Sequence, residues 1–224
     1  MVWDYSLADL VMFTPEVYLR LFVRFNEAAW PLQAVALVAG LAVPLLLTRA
    51  AVLARKLAVA LMALGWIFTG LGFMQAYYAP INWPVTYFAY GFVAQAMLLA
   101  AVAGVWHPPA PLLPGQGYGR GLLVLWGLVL VVLPWLTVAA AGEPGALALT
   151  GTTPDLTAVA SLLLTALLPR AWRWPVVLLP LGWCLFSLLT LYTLELFVAM
   201  LVPLVGVVLA VVTVAMPDPG QVRH

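Results

Sequence analysis

The sequence predicts an all-α, polytopic membrane protein with about seven transmembrane helices behind an amphipathic interfacial helix. Three observations predict it. Of 224 residues, 66% are hydrophobic and 8% charged, against about 25% charged in a soluble domain. The apolar residues fall in runs of about twenty, the length that crosses a hydrocarbon core of about 30 Å. Finally, Lys and Arg sort to one side when seven spans alternate in direction.

Residues 1–29 are expected outside the membrane. Asp4 and Asp9 stand early with no basic group near them, unlike a secretory signal peptide. Within "FTPEVYLRLFVRFNEAAWPLQAVALVAG", Thr14, Pro15 and Glu16 make a helix start: a capping hydroxyl, a proline in the first turn, and an acid near the positive dipole end. From there Val17, Tyr18, Leu21, Phe22, Phe25 and Ala28 share one face. Glu16, Arg20, Arg24 and Glu27 share the other, so Pro15–Ala29 is expected to lie along the interface rather than cross it.

The bundle, residues 30–216, is expected to hold spans near Trp30–Thr48, Leu57–Ala79, Pro84–Trp106, Leu122–Ala140, Asp155–Pro169, Pro175–Leu194 and Phe197–Met216. "PINW" is a tight turn that makes the second and third spans antiparallel neighbours. Arg49, Arg55, Lys56, Arg120, Arg170, Arg173 and Arg223 fall on one side, and only Arg20 and Arg24 on the other. The positive-inside rule then places the N-terminus outside and the short tail, 217–224, in the cytoplasm. Every acid except Asp218 falls outside. Trp30, Trp83, Trp106, Trp172 and Trp174 sit at span ends, as interfacial anchors do. Together these features predict a multi-pass protein of a bacterial inner membrane.

The fifth span is the anomaly. Its apolar part covers about fifteen residues, roughly 22 Å of helix, and Gly151, Pro154 and Pro169 bound it. A short or broken span can mark a binding site; a tilted neighbour or thinned bilayer is the plainer reading. "LQAVA" and "LTAVA" open the first and fifth spans, and "LGW" recurs in the second and sixth. Two readings stand: chance matches in an Ala- and Leu-rich chain, which weighs more, or a 3+1+3 parallel repeat of the kind sugar carriers of the SWEET type have.

The segments "FTPEVYLRLFVRFNEAAWPLQ", "YAPINWPVTYFAYGFVAQAMLL" and "LTGTTPDLTAVASLLLTALLP" resemble an uncharacterised bacterial family, domain of unknown function 6064, over nearly the whole chain. The best-matching pattern is Phe13, Tyr18, Asn26, Trp30 and Pro31. The family's proline-cysteine-proline element before the fifth span is replaced here by "TTPDLT", so no thiol or metal role carries over. The resemblance implies a multi-pass membrane fold and no activity.

Two readings of the external polar residues remain open. Glu16, Arg20, Arg24 and Glu27 form an exposed, mutually paired ladder worth a few tenths of a kcal/mol per pair. Alternatively, Arg20, Arg24, Asn26 and Glu27 wall an outward-facing cup, into which Gln33, Gln75, Asn82, Asp155 and Glu195 converge. Gln95, near the middle of the third span, is expected first as interhelical glue worth about 0.6 kcal/mol, and second as a ligand contact. Ser161, Thr165, Ser187 and Thr190 are expected to bond back to their own helices.

Enzyme chemistry finds no support. His107 and His224 lie in a loop and the tail, leaving no intramembrane ligand for haem or metal. Cys184 is a lone small apolar residue, and no nucleophile stands beside a base. No cofactor and no nucleic-acid partner is expected. The expected partners are the bilayer, a small solute taken from the outer side, and, on the rival reading, other membrane subunits or a second copy. Reporter fusions test the topology: cytoplasmic signals are expected after Lys56, Gly119 and Arg223, and external ones after Asn82 and Gly142. A cytoplasmic signal at Gly142 overturns it.

Overall fold

The computed structural model describes residues 11–105 and 117–216. Asp4, Asp9, Trp106, His107, Asp218, Arg223 and His224 lie outside the described residues. Every regular element described is a helix. The order is α1 (Pro15–Ala29), α2 (Leu32–Leu47), α3 (Val52–Phe68, continued as a π-helical stretch Thr69–Tyr78), α4 (Val85–Val105), α5 (Gly117–Gly127, followed by a π turn Leu128–Val132), α6 (Pro134–Ala141), α7 (Pro154–Thr165), α8 (Arg170–Thr193) and α9 (Leu201–Ala215).

Four stretches are long and apolar enough to cross a membrane: Val52–Tyr78, Val85–Val105, Gly119–Ala141 and Arg170–Thr193. The helix α2 meets that test only together with α1, from which it is bent by 98°. The remaining apolar helices, α7 and α9, are shorter.

The helix α1 has the bounds its sequence implies. Thr14 Oγ1 accepts from the Val17 N–H at 3.4 Å, and Tyr18, Leu21, Phe22 and Phe25 form the buried face. Prolines shape the longer helices. Pro134 has no N–H, and its ring would strike the carbonyl four residues back. The chain widens just before it, with the Leu133 N–H reaching Leu128 O at 3.0 Å. The end of α3 is widened in the same way, the Ala79 N–H donating to Met74 O at 2.7 Å. In α8 the interior Pro180 deprives the Val176 carbonyl of its usual partner, and Gln95 of α4 donates to it at 2.8 Å.

Helix α7 is the core of the molecule. All residues from Leu156 to Thr165 are buried, enclosed by α3, α5, α8 and α9. Its 12 residues make roughly 18 Å of helix. The apolar run expected as a fifth span is short because the chain ahead of α7 is not helical. The chain from Glu143 to Thr153 contains one 3-10 turn, Pro144–Ala146, is exposed at Gly145 and buried by Thr150. It descends beside α2 and α3 until Gly151 lies against Gly65. Gly65 is thirteen residues (65 − 52) into α3, roughly 20 Å along it, in a stretch of 27 residues. So α7 begins near half-height.

One end of the bundle gathers basic residues and helix C-termini. Arg55 Nη1 donates to Arg49 O and Ala50 O at 2.7 and 2.8 Å, just past α2. Lys56 Nζ reaches Gly104 O at the end of α4, 3.1 Å away. Arg173, 1% exposed, donates to Leu168 O, Thr213 O and Met216 O. Cations are favourable at helix C-termini, where carbonyls lack partners. Thus α2, α4, α7 and α9 end where α3 and α8 begin.

The two three-helix units differ in packing. Helix α7 packs on both α8 and α9, whereas α2 packs on α3 with no comparable contact to α4. The two units share the packing of their first helix on the second and their second on the third, and differ in whether the first meets the third.

A Cβ at Gly65 would lie 2.9 Å from the Gly151 backbone, whereas Gly182 has nothing within 4 Å. Gly65→Ala is expected to cost about 1–3 kcal/mol as overpacking, a fall in melting temperature of roughly 2–12 °C for a chain of this size. Gly182→Ala should melt at or above wild type.

Candidate functional site

The non-helical chain ahead of α7 leaves its backbone groups without helical partners, and other residues supply substitutes one by one. Asn26 Nδ2 donates to Gly145 O and Leu147 O at 2.8 and 2.9 Å. Leu149 O accepts from the Thr152 and Thr153 N–H groups and from both hydroxyls, all at 3.0–3.1 Å. The Gly151 N–H donates to Thr157 Oγ1 at 2.8 Å. Thr157 donates to Thr153 O at 2.7 Å. A hydroxyl has one proton, so in the Thr69–Thr157 contact of 3.1 Å Thr69 is the donor.

Asp155 stands at the head of α7, and two side chains of α8 hold it. Trp183 Nε1 donates to Oδ1 at 2.7 Å, and Ser187 Oγ donates to Oδ2 at 3.0 Å. Both partners are neutral. Aromatic rings pack around this pair: Tyr18 of α1 and Tyr78 of α3 have centroids 5.6 Å apart, and Tyr78 meets Trp183 edge-on at 6.4 Å. Beside Asp155 is a small cavity of ≈ 10 Å³ whose walls include Tyr18, Phe22, Thr137, Thr153 and Val202. That is room for about one water. A larger, apolar groove of ≈ 210 Å³ lies between α2 and α3, with Gly40, Gly65 and Gly151 in its lining.

The outward cup does not form. Arg20, Arg24 and Glu27 are exposed, and Asp155 makes its bonds to Trp183 and Ser187 instead. Among the described residues no ion pair joins these arginines to Asp155 or Glu195. The reason is geometric: α1 buries its aromatic face over the bundle end, which turns the charged face away. The Glu16 carboxyl, at the start of that face, is held below its usual range by its hydrogen bond with Thr14.

Asn26 and Gln33 form a clamp across the α1–α2 bend. Gln33 Nε2 donates to Asn26 O at 2.7 Å and lies 3.3 Å from Asn26 Oδ1. Gln95 is glue, as described above. Asn82 Nδ2 donates to Tyr78 Oη at 3.4 Å. Gln75 Oε1 is buried with no hydrogen-bond partner. Glu195 has a backbone role: with φ 57° it closes α8, its N–H going to Tyr192 O and the next N–H to Leu191 O, the pattern of a left-handed C-terminal cap.

Thr165 and Thr190 bond back to Ser161 O and Phe186 O. Ser187 does not, because it faces Asp155; Ser161 Oγ has no partner. Trp183, Ser187, Thr137 and Thr153 were missed as site residues. The "LGW" match drew attention to Trp183 only as a repeat mark. Its indole N–H, buried in an apolar helix and needing an acceptor, was the signal available. Among the described residues no group of three or more His, Cys, Asp or Glu stands together to hold a metal.

The model of the family of unknown function DUF6064 matches residues 15–218, and the chain belongs to that family. No curated protein and no solved structure matches it.

Asn26→Ala is expected to lower the melting temperature, because it removes the donors to the exposed Gly145 carbonyl and the half-buried Leu147 carbonyl, at about 0.5–1.5 kcal/mol per hydrogen bond. It should also speed proteolysis within residues 143–149. Arg24→Ala, which removes an exposed side chain, should change neither.

Proposed function

We propose that this chain crosses a bacterial inner membrane seven times and binds or transports a small solute from the outer side, with Asp155 at the centre of its site. The crossings are α2, α3, α4, α5–α6, the broken segment ending in α7, α8 and α9. The N-terminus and α1 lie outside, α1 along the interface, and the C-terminus lies in the cytoplasm. The gathering of basic residues with the ends of α2, α4, α7 and α9 supports this alternation, since positive charge marks the cytoplasmic face. The protein is not an enzyme and needs no cofactor.

One observation carries the solute reading. A carboxylate lies near half-height in the bundle, at the start of a half-length helix reached by irregular backbone. Ionisable groups at such depth are costly and are kept where they act on ions or solutes. Irregular backbone at membrane depth is tolerated only inside protein or against a cavity, and broken helices of this kind build carrier sites. The position of Asp155 moves the site inward from the proposed cup. It also changes the expected solute from one that meets arginines to one that meets a carboxylate.

A second reading rests on the tight interior. The cavity at Asp155 holds about one water, which suits a helical subunit or partner-binding module of a larger membrane complex. A survey of small solutes by thermal shift, on protein in nanodiscs, separates the two. Wild type should bind at least one compound that Asp155→Asn binds tenfold or more weakly, a loss of about 1.4 kcal/mol. A stoichiometric membrane partner copurifying without crosslinking, with no solute bound, would establish the subunit reading instead.

A further inference from the structure

We infer that the apolar groove between α2 and α3 is a docking site for one acyl chain of an anionic phospholipid, whose phosphate is held by Arg49 and Lys56 at the turn joining the two helices. Such a site needs α2 and α3 to cross the bilayer as proposed above, and nothing of the solute site at Asp155. The groove has ≈ 210 Å³, and about 150 Å³ of apolar cavity already takes a benzene ring. Thr150 is the one polar side chain in its lining, and the Thr150 oxygen is itself buried. The Gly151 N–H in the groove wall is already bonded to Thr157. A polar solute would lose its hydration here and gain little, whereas a hydrocarbon chain loses nothing.

Shape favours a chain over a compact solute. Along α2 the lining runs from Leu32 through Val35, Ala36, Ala39 and Gly40 to Val43, eleven residues (43 − 32) or roughly 16 Å of helix. Ala36, Ala39 and Gly40 are small, so the trough between the helices stays unfilled. At its rim Leu32, Val35 and Leu64 are exposed. The groove therefore opens sideways and is continuous with the apolar surface that meets the bilayer.

Charge selects the lipid and its leaflet. Arg49, Arg55 and Lys56 lie in or beside the turn from α2 to α3. Arg55 is engaged with Arg49 O and Ala50 O, which fixes the turn. Arg49 is exposed, and Lys56 gives Gly104 O one of the three donors an ammonium carries. Among the described residues, Glu16, Glu27, Glu143 and Glu195 lie at the opposite end of the bundle and Asp155 near half-height. No carboxylate therefore neutralises Arg49 and Lys56. A phosphate does so, and basic pockets between membrane helices hold anionic headgroups. Depth agrees. Gly40 is nine residues (49 − 40) from Arg49, and Gly65 nine residues (65 − 56) from Lys56, roughly 14 Å along each helix. One leaflet of hydrocarbon is about 15 Å deep, half of a core of about 30 Å. A chain anchored at the two cations thus ends in the groove, beside Gly40, Gly65 and Gly151.

The test is lipid retention by the full chain. Protein is taken from nanodiscs of phosphatidylcholine and phosphatidylglycerol in equal amounts, released into mild detergent and weighed intact by native mass spectrometry. One phosphatidylglycerol per chain should survive release. Arg49→Gln, at an exposed position, should weaken retention about fivefold, the effect of one cation on an anionic lipid. Ala39→Leu, which fills the trough, should abolish it, and Ala36→Leu replaces that variant if it does not accumulate in folded form. Phosphatidylglycerol with six-carbon chains should be held at least about tenfold more weakly than the sixteen-carbon lipid, and free glycerol phosphate should not compete. Equal retention of phosphatidylcholine overturns the inference. So does displacement by glycerol phosphate, which would make the ligand a free anion, and so does retention unchanged in the variants. Arg49 and Ala39 lie away from Asp155, so such a failure would leave the solute reading standing. An external reporter signal after Lys56 would instead refute the crossing on which both depend.

Discussion

The structure depends on how a stretch of non-helical backbone is satisfied away from water. A helix meets its own hydrogen-bonding needs, which is why it crosses a membrane readily. The segment from Glu143 to Thr153 does not, yet it reaches half-height. Its carbonyls and N–H groups are taken up by Asn26, Thr152, Thr153 and Thr157. Two of these residues are tied to further elements. Gln33 holds Asn26, and Thr69 on α3 meets Thr157. The α1–α2 bend, the descending segment and the start of α7 are consequently one hydrogen-bonded unit.

Glycine completes that unit. Gly151 has φ 84°, in the region that side chains rarely adopt, and its Cα lies 2.9 Å from where a Cβ on Gly65 would go. A larger residue at either position would push the descending segment off α3 and take the start of α7 with it. The other end of the bundle uses a different device. There Arg55, Lys56 and Arg173 cap the carbonyls left at the ends of α2, α4 and α9. The burial of Arg173 is tolerable because its guanidinium fork finds three carbonyls, each an acceptor with its partial negative charge aimed inward.

Much of the fold was legible because its signals are local. Thr14, Pro15 and the spacing of Tyr18, Leu21, Phe22 and Phe25 fixed α1, and the apolar runs located the remaining helices. The weak fifth run was legible as a defect, though its cause was not. Nothing in "EPGALALTGTTP" says that it descends, because the groups that permit descent, Asn26 and Thr69, lie far away in sequence. The site was misread for a related reason. Charge drew attention to Arg20 and Arg24, whereas the aromatic face of α1 decided which way they point. The charge of Asp155 suggests arginine partners, but the side chains that hold it, Trp183 and Ser187, carry none. Trp183 and Ser187 sit on α8 four residues apart, hence on one face, and only tertiary packing reveals that this face looks at α7.

Helix α8 connects these observations. Pro180 frees the Val176 carbonyl, and Gln95 takes it up, pinning α8 to α4. One turn further along, Trp183 and Ser187 reach the other way and fix Asp155 on α7. A proline in a helix interior costs about 3 kcal/mol or more when its stranded carbonyl stays unpaired, and here Gln95 offsets part of that. The same stretch of α8 thus gives up one internal bond, gains an interhelical one, and positions two donors for the Asp155 carboxylate. A closely packed interior is then compatible with a binding site: fixed donors hold the carboxylate in place, and the lack of a charged partner leaves its negative charge available to a ligand.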